Sequence, residues 1–136
     1  MTLKEYLNQN DRFASEAGIQ LTEIREGFAR AELTVEERHL NGVGVCQGGA
    51  IFTLADLSVA GTANSHRKTC IGINCQIHYV RSAVLGDHLT SECNQLGGRR
   101  LPLMEARVVN QKGELIAVMT AECYNMDTEM QYDALQ

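Results

Sequence analysis

The chain has 136 residues, 44% hydrophobic and 21% charged, with a net charge of −5. That is the size and composition of one ordinary globular domain with one core. The acidic balance, with no basic cluster beyond Arg99-Arg100, argues against nucleic acid as a partner, and no run approaches the roughly 20 apolar residues that span a bilayer.

The opening segment MTLKEYLNQNDRF is polar and charged from the start. It lacks the apolar stretch of a secretion signal, so the expectation is a cytoplasmic protein. Leu3, Tyr6, Leu7, Phe13, Ala14 and Ala17 recur at helical spacing, which predicts one helix over residues 2–17. Thr2 is the expected N-cap, with Glu5 at the capping-box position. Gly18 ends the helix as a left-handed residue would. Residues 19–24, IQLTEI, alternate as a half-buried strand does, and Glu26-Gly27 marks a turn. In FARAELTVEE, Ala29, Ala31, Leu33 and Val35 point one way, and Arg30, Glu32 and Thr34 the other.

Residues 48–65 read as a second helix, apolar nearly all round. Such a helix is expected to be buried on every face, so something must wrap it. The remaining segments supply the wrapping. CIGINCQIHYVRS places Ile71, Ile73, Cys75, Ile77 and Tyr79 on one strand face, and Gly72, Asn74 and His78 on the other. DHLTSECNQL follows. The turn GGRR, with Pro102 at its exit, leads into LPLMEARVVN, and NQKGE leads into LIAVMTAECYNM. The order is α-β-β-α-β-β-β-β. Short turns between the last four strands predict antiparallel neighbours. The fold class is therefore α+β, an antiparallel β-sheet wrapped around a long central α-helix, which is the hotdog architecture. One domain spans residues 1–136, with a polar tail, expected to fray, after about Asp127.

Five cysteines are present, Cys46, Cys70, Cys75, Cys93 and Cys123, with no CxxC. In a reducing compartment they read as buried thiols. A set drawn from His66, Cys70, Cys75 and His78 matches no common zinc spacing, so no metal site is expected. His39, His66 and His88 have no partner that sequence names, and read as surface or loop residues.

The chemistry concentrates in residues 41–65, NGVGVCQGGAIFTLADLSVAGTANS. Gly48 and Gly49 open the helix, leaving accessible backbone N–H groups at its positive end, an anion or oxyanion site if not simply a tight turn. Asp56 stands inside the apolar run, on one face with Phe52, Val59, Ala60 and Ala63. An unpaired buried carboxylate costs several kcal/mol or more. Asp56 is thus a hydrogen-bonded structural residue, or it faces water or a partner, or it does chemistry; desolvation would raise its pKa toward what a general base needs. Eight residues of helix separate Gly48 from Asp56, about 12 Å at 1.5 Å per residue. An oxyanion donor and a base must both lie about 3 Å from one reacting group. If both act, they come from different subunits, and the protein is a homodimer with two equivalent sites.

These residues resemble the PaaI-like hotdog thioesterases, named for the phenylacetate-degradation enzyme, and the related mammalian acyl-CoA thioesterase. The family pattern of Asn, Gly, His-Gly-Gly and a later Asp falls on Asn41, Gly42, Gln47-Gly48-Gly49 and Asp56. The resemblance continues through INCQIHYVRSAVLGDHL and GGRRLPLMEARVVNQKGELIAVMTAE, covering roughly residues 12–125. It implies hydrolysis of an acyl-CoA to a free acid and CoA. By that resemblance Asp56 acts on water as general base or nucleophile, the Gly48 N–H of the other subunit holds the thioester oxygen, and Asn41 positions water or substrate. Gly49, Gly72, Asn74, Arg99 and Arg100 are the candidate substrate-binding residues, and CoA enters only as part of the substrate, with no separate cofactor. The expected assembly is a homodimer, pairing further into a homotetramer.

Two departures stand out. Gln47 replaces the family histidine; it can orient or polarise, but it cannot carry a proton at physiological pH. Its plain alternative is to cap the turn. Gly72 stands where the mammalian relative has a serine, and Asn74 or His78 on the same strand is the candidate substitute. Arg99 and Arg100 suit CoA phosphates, or an ordinary exposed turn. Two other functions stay open: a non-catalytic acyl-CoA-binding module and, ranked lower, a hotdog hydratase or dehydratase, which usually pairs a His with its acid.

Overall fold

The computed structural model describes all residues, 1–136. The expected N-terminal helix is two helices, α1 (Leu3–Asn10) and α2 (Arg12–Glu16). Thr2 caps α1 as anticipated: its hydroxyl accepts the Glu5 N–H at 3.1 Å, and the Glu5 carboxylate accepts the Thr2 N–H at 2.9 Å. The break comes at Asp11, whose carboxylate accepts the Ala14 N–H at 3.1 Å and so starts a new helix. Gly18 follows with φ of 78°.

Next come β1 (Gln20–Arg25) and β2 (Phe28–Thr34), the central helix α3 (Gly48–Ala63), then β3 (Lys68–Tyr79), β4 (His88–Gly97), β5 (Leu103–Val109) and β6 (Leu115–Glu129). The strands form one antiparallel six-stranded sheet in the order β1-β2-β4-β5-β6-β3. With α3 packed along one face of it, the hotdog expectation is met. One adjacency is corrected: β3 is not the neighbour of β4. β4 pairs with β2 from Phe28↔Asn94 to Thr34↔His88. Residues 80–87 between β3 and β4 are too many for a two-residue hairpin, so β3 lies at the opposite edge against β6.

The core lies between α3 and the sheet. Ile51, Leu54, Leu57 and Val59 of α3 meet Ala29, Ala31 and Leu33 of β2, Leu89 of β4, Met104 and Ala106 of β5 and Met119 of β6, all buried. Gly61 is the closest approach: a Cβ there would lie 2.8 Å from the Ala29 Cβ and 3.0 Å from the Leu21 Cδ2. A helix apolar all round was expected to be buried all round, and one stripe departs from that. Gly49 and Asp56 are exposed, and Phe52, Thr53 and Ala60 only half-buried. A sheet covers one side of a helix, and the short α1 and α2 do not close the other.

β3 also differs in detail. A bulge between Gly72 and Asn74 shifts the register. Gly72 therefore faces inward opposite the buried Cys123, whereas Asn74 and His78 face outward opposite Glu122 and Val118. Ile71 is carried outward too, opposite the exposed Tyr124, while Cys75 and Ile77 stay inward opposite Ala121 and Met119. The two faces read from strict alternation are thus interchanged partway along.

The last residues, read from sequence as a polar tail, make hydrogen bonds to the body of the domain. The Leu3 N–H donates to the Ala134 carbonyl at 2.7 Å, and the Ile24 N–H to the Gln136 side-chain oxygen at 2.7 Å. Tyr132 is buried, its hydroxyl donates to the Asn64 carbonyl at 3.1 Å, and the Arg67 guanidinium lies 4.6 Å from its ring centre. One aromatic anchor and a few backbone bonds outweigh the polar composition.

Candidate active site

The loop entering α3 is built from its own polar groups. The Asn41 carboxamide oxygen accepts the N–H groups of Val43 at 3.0 Å and Val45 at 3.1 Å, and the Asn41 N–H donates to the Val45 carbonyl at 2.8 Å. Its amide nitrogen Nδ2 has no partner in the chain, so one donor of Asn41 remains free. His39, expected at the surface, is buried instead. Its Nδ1 accepts the Glu36 N–H at 2.8 Å, which leaves Nε2 as the protonated nitrogen donating to the Ala17 carbonyl at 2.6 Å. That ring ties the loop to the end of α2, and the Gln47 N–H donates to the His39 carbonyl at 2.7 Å. His66 and His88 are exposed, as anticipated.

Gln47 occupies the N-cap position of α3, yet its side chain makes no capping bond. The capping alternative is therefore overturned. The carboxamide instead folds over the next turn: its Oε1 lies 2.6 Å from where a Gly49 Cβ would stand. Neither the Gly48 nor the Gly49 N–H donates to any atom of the chain. Two bare donors thus stand at the positive end of a sixteen-residue helix, with the free Gln47 amide beside them.

Tyr79, at the end of β3, is a contact that the sequence does not announce. Its hydroxyl donates to the Gly48 carbonyl at 2.9 Å, and its ring lies 3.0 Å from where a Gly48 Cβ would be. The only sequence signal is a phenol closing an otherwise aliphatic strand face.

Asp56 sits two turns along the same helix, open to solvent on the uncovered stripe. Surrounding protein still desolvates the carboxylate and raises its pKa above the usual aspartate value, and the negative charge of Asp11 adds to the shift. Gly72 and Cys75 are grouped with it on the inner side of β3: a Gly72 Cβ would lie 3.7 Å from the Cys75 sulfur, and the Asp56 charge helps raise the Cys75 pKa, after burial. No cysteine is poised as a nucleophile. Burial is the leading cause of a raised pKa at all five, to about 11 at Cys46 and about 12 at Cys93 and Cys123.

The other candidates fall apart from this cluster. Asn74 donates to the Glu122 carboxylate at 3.1 Å on the outer face of the sheet. Arg99 borders an open hollow of about 290 Å³ past the C-terminal end of α3, with His66, Lys68, Gln95 and Asp127. Arg100 pairs with Asp127 at 3.3 Å in full view of solvent, where an ion pair contributes little. So the structure gathers Asn41, Gln47, Gly48 and Gly49 at one end of α3, sets Asp56 and Gly72 at its middle, and leaves Asn74, Arg99 and Arg100 elsewhere.

The chain is similar to known thioesterases and esterases in sequence and in fold. The thioesterase superfamily profile matches residues 43–117. A candidate esterase of Archaeoglobus fulgidus is 33% identical over 128 residues, covering 93% of this chain and 83% of its own. The acyl-coenzyme A thioesterase PaaI of Escherichia coli K12 is 30% identical over 119 residues, covering 87% of this chain and 85% of its own. The solved structure of E. coli PaaI superposes with a TM-score of 0.88 at 28% identity, covering 93% of each chain. The chain belongs to the thioesterase superfamily: it is a PaaI-like, hotdog-fold thioester hydrolase.

Proposed function

We propose that the protein hydrolyses acyl-CoA thioesters to a free carboxylic acid and CoA, at two equivalent sites between the subunits of a homodimer. The observation that carries this reading is the helix α3 itself. It presents two uncapped N–H groups at its start and a carboxylate of raised pKa on its exposed flank. The two are too far apart to meet in one chain, at about 12 Å. The edge strand β3 supports pairing with a second copy, because Ile71, Ile73, Tyr79 and Val80 on and beside it are half or more exposed. An unpaired, apolar edge is a template for another strand. The E. coli relative named as an acyl-coenzyme A thioesterase supports the substrate class.

In this reading Asp56 of one subunit takes a proton from water as that water attacks the thioester carbon. The Gly48 N–H of the other subunit, with Asn41 and Gln47 at hand as further donors, holds the developing oxyanion. Collapse expels the CoA sulfur as a thiolate, a good leaving group because thiols ionise near pH 8.5. Gln47 orients and polarises but moves no proton.

The test is thiol release from acetyl-, hexanoyl-, palmitoyl- and benzoyl-CoA, with wild type and Asp56→Asn. Hydrolysis of at least one of them, falling about a hundredfold or more in the variant, is expected. Tight CoA binding with no turnover on any of the four would favour a binding module instead.

A further inference from the structure

Gly48 contributes a carbonyl as well as an N–H, and that carbonyl is engaged. The Gly48 C=O and the Gly49 N–H belong to one planar peptide unit. Tyr79 grips that unit twice: its hydroxyl donates to the oxygen at 2.9 Å, and its ring fills the space a Gly48 side chain would need. On the far side of the same peptide, the Gly49 N–H has no partner in the chain. A peptide whose carbonyl accepts an added hydrogen bond is a stronger donor at its N–H, because aligned hydrogen bonds polarise one another.

We infer that Tyr79 is a positioning residue of the thioester site. It acts through the Gly48–Gly49 peptide, so that the Gly49 N–H joins the Gly48 N–H in receiving the oxyanion. The inference rests on the reading given under Proposed function and adds a second donor and its support. The role of Tyr79 runs through the Gly48 carbonyl, where its hydroxyl fixes the plane and the polarity of the peptide. Burial raises the Tyr79 pKa above its ordinary value, so the phenol keeps its proton and remains a donor at physiological pH. The geometry also accounts for glycine at position 48, since any Cβ would meet the ring at 3.0 Å. Gln47, folded over Gly49 with no bond of its own, leaves the N–H groups unblocked.

The experiment uses the full chain and Tyr79→Phe, which keeps the ring against Gly48 and removes only the hydroxyl. With the same four acyl-CoAs, kcat is expected to fall about three- to tenfold, the effect of one ordinary hydrogen bond, with KM and the melting temperature unchanged. Independently of turnover, the Gly49 amide nitrogen resonance in an NMR correlation spectrum is expected to move, while that of the remote Gly86 stays. A wild-type kcat in Tyr79→Phe, or an unmoved Gly49 resonance, overturns the inference. So does a rise in KM with kcat unchanged, which is the pattern of lost uniform binding. Asp56→Asn measured alongside separates the two levels. If it is inactive while Tyr79→Phe is unaffected, only the role of Tyr79 falls. If it retains full activity, the catalytic reading beneath falls too.

Discussion

Gly48 and Asp56 stand on one helix, the first at its open mouth and the second on its uncovered stripe, eight residues and about 12 Å apart. In the proposed dimer each would therefore work with its counterpart on the other chain. This makes subunit mixing decisive. Asp56→Asn and Gly48→Val, each inactive alone, should regain about a quarter of wild-type turnover when unfolded together and refolded as a mixture. Half of the dimers are then mixed, and each mixed dimer has one intact site out of two. No recovery would place both groups in one chain's site and sink the shared-site reading.

The raised Asp56 pKa has two consequences of opposite sign. As a base it must be ionised, so kcat/KM should fall with decreasing pH at a value above the ordinary aspartate pKa of 3.8. For stability, a carboxylate with a raised folded-state pKa favours the folded chain at pH below the unfolded value. That contribution is lost as pH rises through the folded pKa. Asp56→Asn should consequently melt no lower than wild type at neutral pH, and its activity loss should not come from unfolding. A clearly lower melting temperature at pH 7 would contradict this.

Ile73→Asp probes the edge of the sheet. Ile73 is 54% exposed in the single chain, so its replacement costs the core little. A charge in the middle of this edge strand opposes strand pairing. The variant should sediment as a folded monomer with unchanged far-UV circular dichroism, and it should lose hydrolysis together with self-association. An active monomer would be the contrary result.

Gly61→Ala separates helix propensity from packing. An exposed helical glycine replaced by alanine gains about 1 kcal/mol. At Gly61 the new methyl would press on the Ala29 Cβ at 2.8 Å, and overpacking of that kind costs about 1–3 kcal/mol. Chemical denaturation should show a net loss of stability of up to about 2 kcal/mol. A more stable variant would mean that the helix and sheet can separate freely.

Truncation after Met130 tests the docked C-terminus. It removes the buried Tyr132 and the bonds from Leu3, Lys4 and Ile24. Burying one large aromatic is worth about 2–3 kcal/mol. A measurable drop in melting temperature is expected, and an unchanged one would return these residues to the status of a loose tail.

Much of this protein is local in origin, and that part was legible in the chain. The alternation of Ala29, Ala31 and Leu33, the capping box of Thr2 and Glu5, and the apolar run broken by Asp56 each depend on neighbours a few residues away. So does the placing of Gly48 at a helix start, and with it the reasoning that Gly48 and Asp56 cannot share a site within one chain. The thioesterase family followed from the Asn41-to-Asp56 spacing taken together with the strand order. Asp11 shows the limit even of local reading, since its carboxylate restarted a helix that periodicity alone joined.

What the tertiary structure decided are relations between distant segments. β3 lies against β6 rather than β4 because both edges of β4 are taken, by β2 and β5, a competition that no single segment records. The bulge beyond Gly72 sends Gly72 inward and Asn74 outward, and one extra residue in a strand exchanges faces for everything after it. His39 is drawn inside by a carbonyl 22 residues earlier, and Tyr132 anchors a polar tail. Tyr79 reaches Gly48 across 31 residues. Periodicity says which side of an element is apolar; only the packed chain says which partner that side meets, because packing and hydrogen bonds are satisfied in space and not along the sequence.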